Sequence, residues 1–287
     1  MLASTRNTIE LENKMPELPE VETTVRGIRP TLIHRCIESA WLDWPKGLAE
    51  PPPSIFLDRI QHQKIRDVRR RAKYILIDLD VDTLIIHLKM TGRLYVVPNT
   101  TTAHADKWVH FRFQLDNESQ LRFSDSRKFG RVYLVSNPET VIGHLGPEPL
   151  SDEFTLDVWL ASLEERTGKI KPLLMNQRFI AGIGNIYADE ALHLAKIHPR
   201  RTVQDLALHE KEALWKAIRQ VLQEGIAREG ASVNWYRKPD GSKGSAQDGL
   251  RVYAQTNQLC RTCGEANIQK IVIAQRGTHF CPNCQRE

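Results

Sequence analysis

Met15-Pro16-Glu17-Leu18-Pro19-Glu20-Val21-Glu22 is the stretch around which the rest of the chain can be read. Its two prolines fix two φ angles and remove two backbone donors, which predicts an extended start. Three carboxylates crowd beside them. If translation begins at Met15 and the methionine is removed, Pro16 becomes an N-terminal secondary amine. Such an amine is a nucleophile with an ordinary pKa near ~8, so part of it is neutral at physiological pH. The same residues also fit a Pro-capped helix start, with Glu20 and Glu22 favouring the helix dipole.

Upstream, residues 1–14 lack the apolar core of a signal peptide, and Glu10 and Glu12 do not suit a transit peptide. Residues 1–15 are expected to be a leader or a misassigned start that is absent from the active protein. Downstream, Val21, Val25 and Ile28 space a short helix over 20–29, with Pro30 just past it. Pro51-Pro52-Pro53 marks a surface loop. Residues 74–79 and 83–88 read as strands about an acidic turn, Asp80-Val81-Asp82. Phe111, Phe113 and Leu115 alternate with polar residues, as do Leu121 and Phe123, and 132–135 is another strand. Many short strands at regular spacing predict an antiparallel β-sandwich. After Gly146-Pro147-Glu148-Pro149 the period turns helical, over 154–163, 170–175, 186–194 and 206–226. The fold class is therefore α+β. A β-rich domain is expected over 16–147, a helical one over 152–249 with a polar loop at 232–249, and a small module over 250–287.

The chain has 287 residues, 26% of them charged, with a formal net charge of +5. The excess suggests a polyanion partner. From Arg59 to Lys73 there are seven Lys/Arg and one Asp, which concentrates that charge. No apolar run approaches the roughly 18 residues that span a membrane. Four of the five cysteines form Cys260-x2-Cys263-x17-Cys281-x2-Cys284, while Cys36 stands apart. Two CxxC knuckles fill a tetrahedral zinc shell with no open position, so one structural zinc in a reducing compartment is expected rather than two disulfides. Between the knuckles, residues 271–280 read as a hairpin that presents Arg276.

The octapeptide resembles the N-terminus of the formamidopyrimidine-DNA glycosylase family, in its oxidised-purine branch. The likeness continues in order through Arg70-Arg71-Ala72-Lys73-Tyr74, His87-Leu88-Lys89-Met90-Thr91-Gly92, Arg127-Lys128-Phe129-Gly130, Gly146-Pro147-Glu148-Pro149-Leu150, Gly182-Ile183-Gly184-Asn185-Ile186-Tyr187 and the four cysteines. It implies a helix–two-turn–helix domain, a β-hairpin zinc finger and a lesion-capping loop at 232–249. It also implies a bifunctional glycosylase and abasic-site lyase for 8-oxoguanine and formamidopyrimidines in duplex DNA. Pro16 would be the Schiff-base nucleophile, Glu17 the proton donor at the sugar, and Glu20 an orienting residue behind them. Lys73 and Arg276 would contact phosphates and donate protons for β- and δ-elimination. Met90, Arg127 and Phe129 would fill the void left by the flipped base, although composition alone would bury Met90 and Phe129. Asn185 would bind phosphate, with Tyr187 packed beneath it. Without the resemblance, the Gly182–Asn185 turn is an interhelical turn whose N–H groups form an anion site.

Three sites depart from the family pattern. Trp108 stands where a DNA-contacting histidine is usual, Ala246 where an aromatic precedes Gln247, and Ala254-Gln255 where Gly-Arg is usual. Two other readings compete: an endonuclease VIII-like enzyme for oxidised pyrimidines, and a non-catalytic zinc-containing lesion binder if the N-terminus stays blocked. The expected enzyme is a monomer acting on double-stranded DNA, cytoplasmic and nucleoid-associated, with no membrane attachment.

Overall fold

The computed structural model describes residues 15–102, 106–233 and 236–287. The expected leader, apart from Met15, and residues 234–235 of the 232–249 loop lie outside them. Helix α1 (Leu18–Leu32) starts earlier than its apolar spacing suggests and runs through Pro30. Pro19 sits in the first turn, where an N–H has no intrahelical partner. Pro30 removes one bond to the Arg26 carbonyl, but both residues are exposed and water can replace it. Val21, Val25, Ile28 and Leu32 enter one core, while Leu18 enters another. This helix therefore joins the two halves of the molecule.

The N-terminal half is a sandwich. In chain order its strands are β1 (Ile37–Leu42), β2 (Leu48–Glu50), β3 (Asp67–Arg71), β4 (Tyr74–Asp78), β5 (Thr83–His87), β6 (Gly92–Pro98), β7 (Val109–Leu115), β8 (Ser119–Asp125) and β9 (Arg131–Val135). One sheet has the order β1-β7-β8-β6 and the other β2-β9-β5-β4-β3. The expectation of an antiparallel sandwich needs one correction, since β2 runs parallel to β9. Phe111, Phe113 and Phe123 point inward together, and Phe56 meets the first two edge-on at 6.4 and 6.2 Å. Phe56 comes from α2 (Pro53–Arg59), so part of the expected proline loop is helical, with Pro53 at its first position. Strand β5 is buried at every residue. Its second face is covered by Val141 and Ile142 of α3 (Glu139–Ile142), which removes the alternation of a half-exposed strand.

The basic run at 59–73 is not an open polyanion surface. Strands β3 and β4 are paired, and the acidic turn of the next hairpin lies beside them. Arg59 pairs with Asp82, Arg66 with Asp80 and Arg69 with Asp78. Arg70 bridges Glu22 at 2.9 Å and Glu148 at 2.6 Å, and Arg71 reaches Glu148 at 2.9 Å. The last two arginines thus fasten the sandwich to α1 and to the connection into the helical half.

That second half contains α4 (Leu156–Leu163), α5 (Ile170–Leu174), α6 (Asn185–Leu194) and α7 (Leu208–Ala227). Thr155 caps α4, its hydroxyl accepting from Val158 N at 3.3 Å. Helix α6 is buried from Ile186 to His193, including Asp189 and Glu190. Strands β10 (Gln269–Ile273) and β11 (Arg276–Phe280) close through Ala274 and Gln275, at φ +46° and +60°. Positive φ at both central residues matches the twist of a two-residue hairpin.

Candidate active site at the seam of the two halves

Pro16 is buried at the entrance to α1, with Glu17 beside it. Glu17 comes from the first motif, but its carboxylate is held by the glycine turn 167 residues later. Gly184 N donates to it at 2.7 Å, Ile186 N at 2.9 Å and Tyr187 N at 3.3 Å. The N-terminus of α6 is therefore an anion site, as its sequence implies, and the group it holds here is this protein's own Glu17 carboxylate. Close approach explains the glycines. A Cβ at Gly184 would collide with the Glu17 carboxyl, and one at Gly182 with Leu18. Gly182 also has φ +88°, and its carbonyl accepts from Leu18 N at 3.0 Å.

Burial dominates the Glu17 carboxyl and raises its pKa to about 7, against the pull of the Lys73 ammonium, while the Glu20 charge adds to the rise. A carboxyl poised there is half protonated at neutral pH and can give or take a proton. Glu20 is equally buried and is fully committed to hydrogen bonds. It accepts from Glu17 N at 2.9 Å, from the Tyr187 hydroxyl at 2.9 Å and from Ala231 N at 2.7 Å. Tyr187 thus buttresses Glu20, where the resemblance implied packing beneath a phosphate.

Lys73 enters from the β3–β4 turn, where Ala72 adopts φ +53°. Its ammonium is buried, and desolvation lowers its pKa although Glu17 and Glu20 oppose the shift. The charge of Arg276 adds to the lowering, so the hairpin brings a second cation to the same region. Arg276 itself is exposed at the start of β11, while the residues after it are anchored. Asn185 Nδ2 donates to Gly277 O at 2.9 Å. Lys171 Nζ donates to Thr278 Oγ1 at 2.7 Å and pairs with Asp189 at 2.6 Å, and Asp189 accepts from His279 N at 2.8 Å. The amide of Asn185 is therefore engaged with the hairpin.

The four cysteines fit zinc. Cys260 and Cys284 sulfurs lie 3.8 Å apart, those of Cys263 and Cys281 3.7 Å, and all four lie within 4.8 Å of one another. A tetrahedron with Zn–S legs of about 2.3 Å has edges of about 3.8 Å.

Tyr74 pairs with His87 and His87 with Arg131, so at the same end of the sandwich as Lys73, Arg127, Lys128 and Phe129 protrude between β8 and β9, and Phe129 is 43% exposed. Composition alone would have buried this phenylalanine. The Arg127 guanidinium lies 4.7 Å over its ring, so the two side chains form a stacked unit. Met90 is half-buried in the turn before β6. Gly92 pairs with Asp125, so Met90 and the 126–130 loop leave the same end of one sheet.

Among the departures, Trp108 is exposed, with Lys107 Nζ 4.9 Å over its ring. Ala246 is buried in the helical core, and Gln247 accepts from Ser232 N at 2.7 Å to close the base of the 232–249 loop. Ala254 takes φ +58°, a conformation that the usual glycine adopts without strain. Several positioning residues escaped the sequence reading. Glu148 clamps Arg70 and Arg71, and Glu190 accepts from the N–H groups of Arg251, Val252 and Tyr253 at 2.7, 2.9 and 2.8 Å. The available signal was Asp189-Glu190 within an otherwise apolar helical segment, since buried acids need partners.

Comparison with known proteins agrees with this arrangement along the chain. Residues 15–132 match the formamidopyrimidine-DNA glycosylase N-terminal domain, 145–237 the H2TH domain of the same enzymes, and 257–286 the zinc finger found in FPG and IleRS. The formamidopyrimidine-DNA glycosylase of Protochlamydia amoebophila is 44% identical over 279 residues, covering 95% of this chain and 100% of that protein. That of Herpetosiphon aurantiacus is 46% identical over 275 residues, covering 94% and 100%. A Lactococcus lactis FPG mutant in complex with Fapy-dG DNA superposes with a TM-score of 0.88 at 35% identity, covering 95% of this chain and 100% of that one. The L. lactis enzyme with abasic-site DNA gives 0.87 at 35% identity, covering 94% and 100%. A fold, a zinc finger and a sequence likeness that all extend over nearly the whole chain have one common explanation: this protein belongs to the formamidopyrimidine-DNA glycosylase family.

Proposed function

We propose that the protein is a bifunctional DNA glycosylase and abasic-site lyase that removes oxidised purines from duplex DNA, acting through an N-terminal Pro16. The observation that carries this reading is the Glu17 carboxyl, buried beside Pro16 on the α6 N-terminus and held near neutrality with Lys73 in reach. The base to be removed is stacked in the duplex, so its nucleotide must first be flipped out. The Pro16 nitrogen then bonds to C1′ and loses its proton as the N-glycosidic bond breaks and the base departs; Glu17 delivers a proton to the sugar ring oxygen, and the C1′–O4′ bond breaks to open the ring. Because the amine is secondary, the product is an iminium that stays positive at any pH and serves as an electron sink. Loss of the C2′ proton expels the 3′ phosphate, and a second elimination expels the 5′ phosphate. Lys73 and Arg276 supply cations and protons at those phosphates. Glu20 orients Glu17 and the first turn of α1.

Relatives whose full length aligns within 94–95% of this chain, and a family match starting at residue 15, support Pro16 as the working terminus. The Fapy-dG complex and the names of the relatives favour oxidised purines over the oxidised-pyrimidine alternative. The catalytic region is taken as 16–147, the DNA-binding helical region as 152–249 with 232–249 capping the lesion, and the zinc finger as 250–287. No helix among the described residues is long and apolar enough to cross a membrane. A monomer working on the nucleoid in the cytoplasm suits a DNA substrate. Parallel cleavage of 8-oxoguanine and thymine glycol duplexes with borohydride trapping tests the whole reading. A preference for thymine glycol, or product without any trapped adduct, would overturn it.

Two effects are expected within this scheme. One structural zinc is held by Cys260, Cys263, Cys281 and Cys284, and Cys260→Ser should lose it. Because β11 carries Arg276, affinity for damaged duplex should fall by about 10- to 100-fold, the range of one charged hydrogen bond. Normal binding by a zinc-free variant would remove the hairpin from the DNA interface. The second effect concerns Arg127, assigned to the orphaned cytosine. Its guanidinium donates to cytosine O2 and N3, whereas adenine N6 is itself a donor. Excision of 8-oxoguanine opposite cytosine should therefore exceed that opposite adenine by about ten-fold or more, and Arg127→Ala should narrow the gap. Equal single-turnover rates on the two duplexes would remove this role.

A further inference from the structure

We propose that Asp125 is the positioning residue for void filling, fastening the Met90 turn and the Arg127–Phe129 loop to one fully buried carboxylate. It touches no substrate; it acts through the groups that do. Asp125 is 0% exposed at the last position of β8. Its Oδ1 accepts from the Thr91 hydroxyl and from Arg127 N at 3.2 Å. Its Oδ2 accepts from Phe129 N at 2.8 Å and Gly130 N at 2.7 Å. Its own N–H donates to Trp108 O at 2.9 Å, and its carbonyl accepts from Lys128 N at 3.2 Å. Four donors on two oxygens require a carboxylate, because an amide would turn an N–H₂ toward donors.

The consequence is a rigid base beneath exposed tips. Arg127 and Phe129 protrude into solvent, yet the backbone that carries them is tied down on both sides of the left-handed Lys128, at φ +56°. Thr91 extends the same carboxylate to the residue next to Met90. Two insertions from separate loops must enter one gap in the base stack, and a shift of about 1 Å in either is enough to spoil the hydrogen-bonding plane of a guanidinium. Ordering before DNA arrives spares the complex that cost.

The inference rests on the assignment of Arg127 to the orphaned base, and its test separates the two. Single-turnover excision is measured opposite cytosine and opposite adenine for Asp125→Asn, Thr91→Val, Thr91→Ser and Arg127→Ala. Borohydride trapping on an abasic site in single-stranded DNA, which has no orphaned base, reports folding and the Pro16 chemistry. Asp125→Asn and Thr91→Val should reduce the cytosine preference from about ten-fold to about three-fold or less, with trapping changed by less than about two-fold. Thr91→Ser keeps the donor and should restore the preference. If Arg127→Ala narrows the gap and Asp125→Asn does not, the proposal is wrong while the base-reading assignment stands. Parallel loss of preference and single-strand trapping would reduce Asp125 to a general stability role and overturn it. An unchanged gap in Arg127→Ala would remove the base-reading assignment and the proposal with it.

Discussion

Protein that carries residues 1–15 ahead of Pro16 is expected to be inactive as a lyase, and removal of those residues should switch the activity on. An attached residue converts the Pro16 amine into an amide. Its lone pair is delocalised into the carbonyl, so it neither attacks C1′ nor forms an iminium. The expected loss is about three orders of magnitude or more, the scale on which removal of a covalent nucleophile acts. Intact mass identifies the terminus, and borohydride trapping on abasic-site DNA measures the chemistry. Binding to damaged duplex should fall much less, because the cations and the zinc-finger hairpin are unaltered. Pro16→Gly tests the same point from the other side. A primary amine can still form an imine, but that imine loses its charge on deprotonation, so trapping should weaken while binding persists. Full lyase activity in a preparation shown by mass to begin at Met1 would exclude the covalent mechanism.

Glu17→Gln should lower base excision by about 10²- to 10⁴-fold, the usual contribution of a positioned general acid or base. The amide cannot give a proton to the sugar, and it also disturbs the α6 N-terminus, where Gly184, Ile186 and Tyr187 donate to the carboxylate. The pH dependence follows from the same environment. Burial raises the Glu17 pKa to about 7, with Lys73 pulling the other way. With the neutral Pro16 amine and the protonated Glu17 carboxyl both required, kcat/KM should peak between about 7 and ~8 and fall about ten-fold per pH unit on either side, the alkaline limb belonging to Glu17. A profile in which that limb survives Glu17→Gln would assign the titration to another group. The linkage to folding has a definite sign. The folded-state value lies above the ordinary 4.5, so the native protein holds a proton that the unfolded chain has released. This group's contribution to stability is complete below about 4.5 and is lost as pH rises through about 7, a change of about 3 kcal/mol.

The α+β class and the zinc cage were legible in the sequence, because period-two alternation, helical period and CxxC spacing are local properties. Strand β5 hid its place as a central strand because both its faces are covered, while α2 was masked by three prolines that read as loop. The family motifs named candidate site residues, and tertiary structure decided what those residues do to one another. The glycine turn opens a helix whose N–H groups can hold an anion, but only the fold could supply Glu17 as that group. The 59–73 run is basic by composition, yet its arginines meet Asp78, Asp80, Asp82, Glu22 and Glu148, carboxylates brought in by strand pairing and by α1. Phe129 is apolar and by type belongs in a core, but Asp125 holds its loop outward beneath a stacked guanidinium. In each case the deciding partner is distant in sequence or set by backbone geometry. The free energy of a charge or an aromatic ring depends on the groups within a few ångströms, and a linear sequence does not list them.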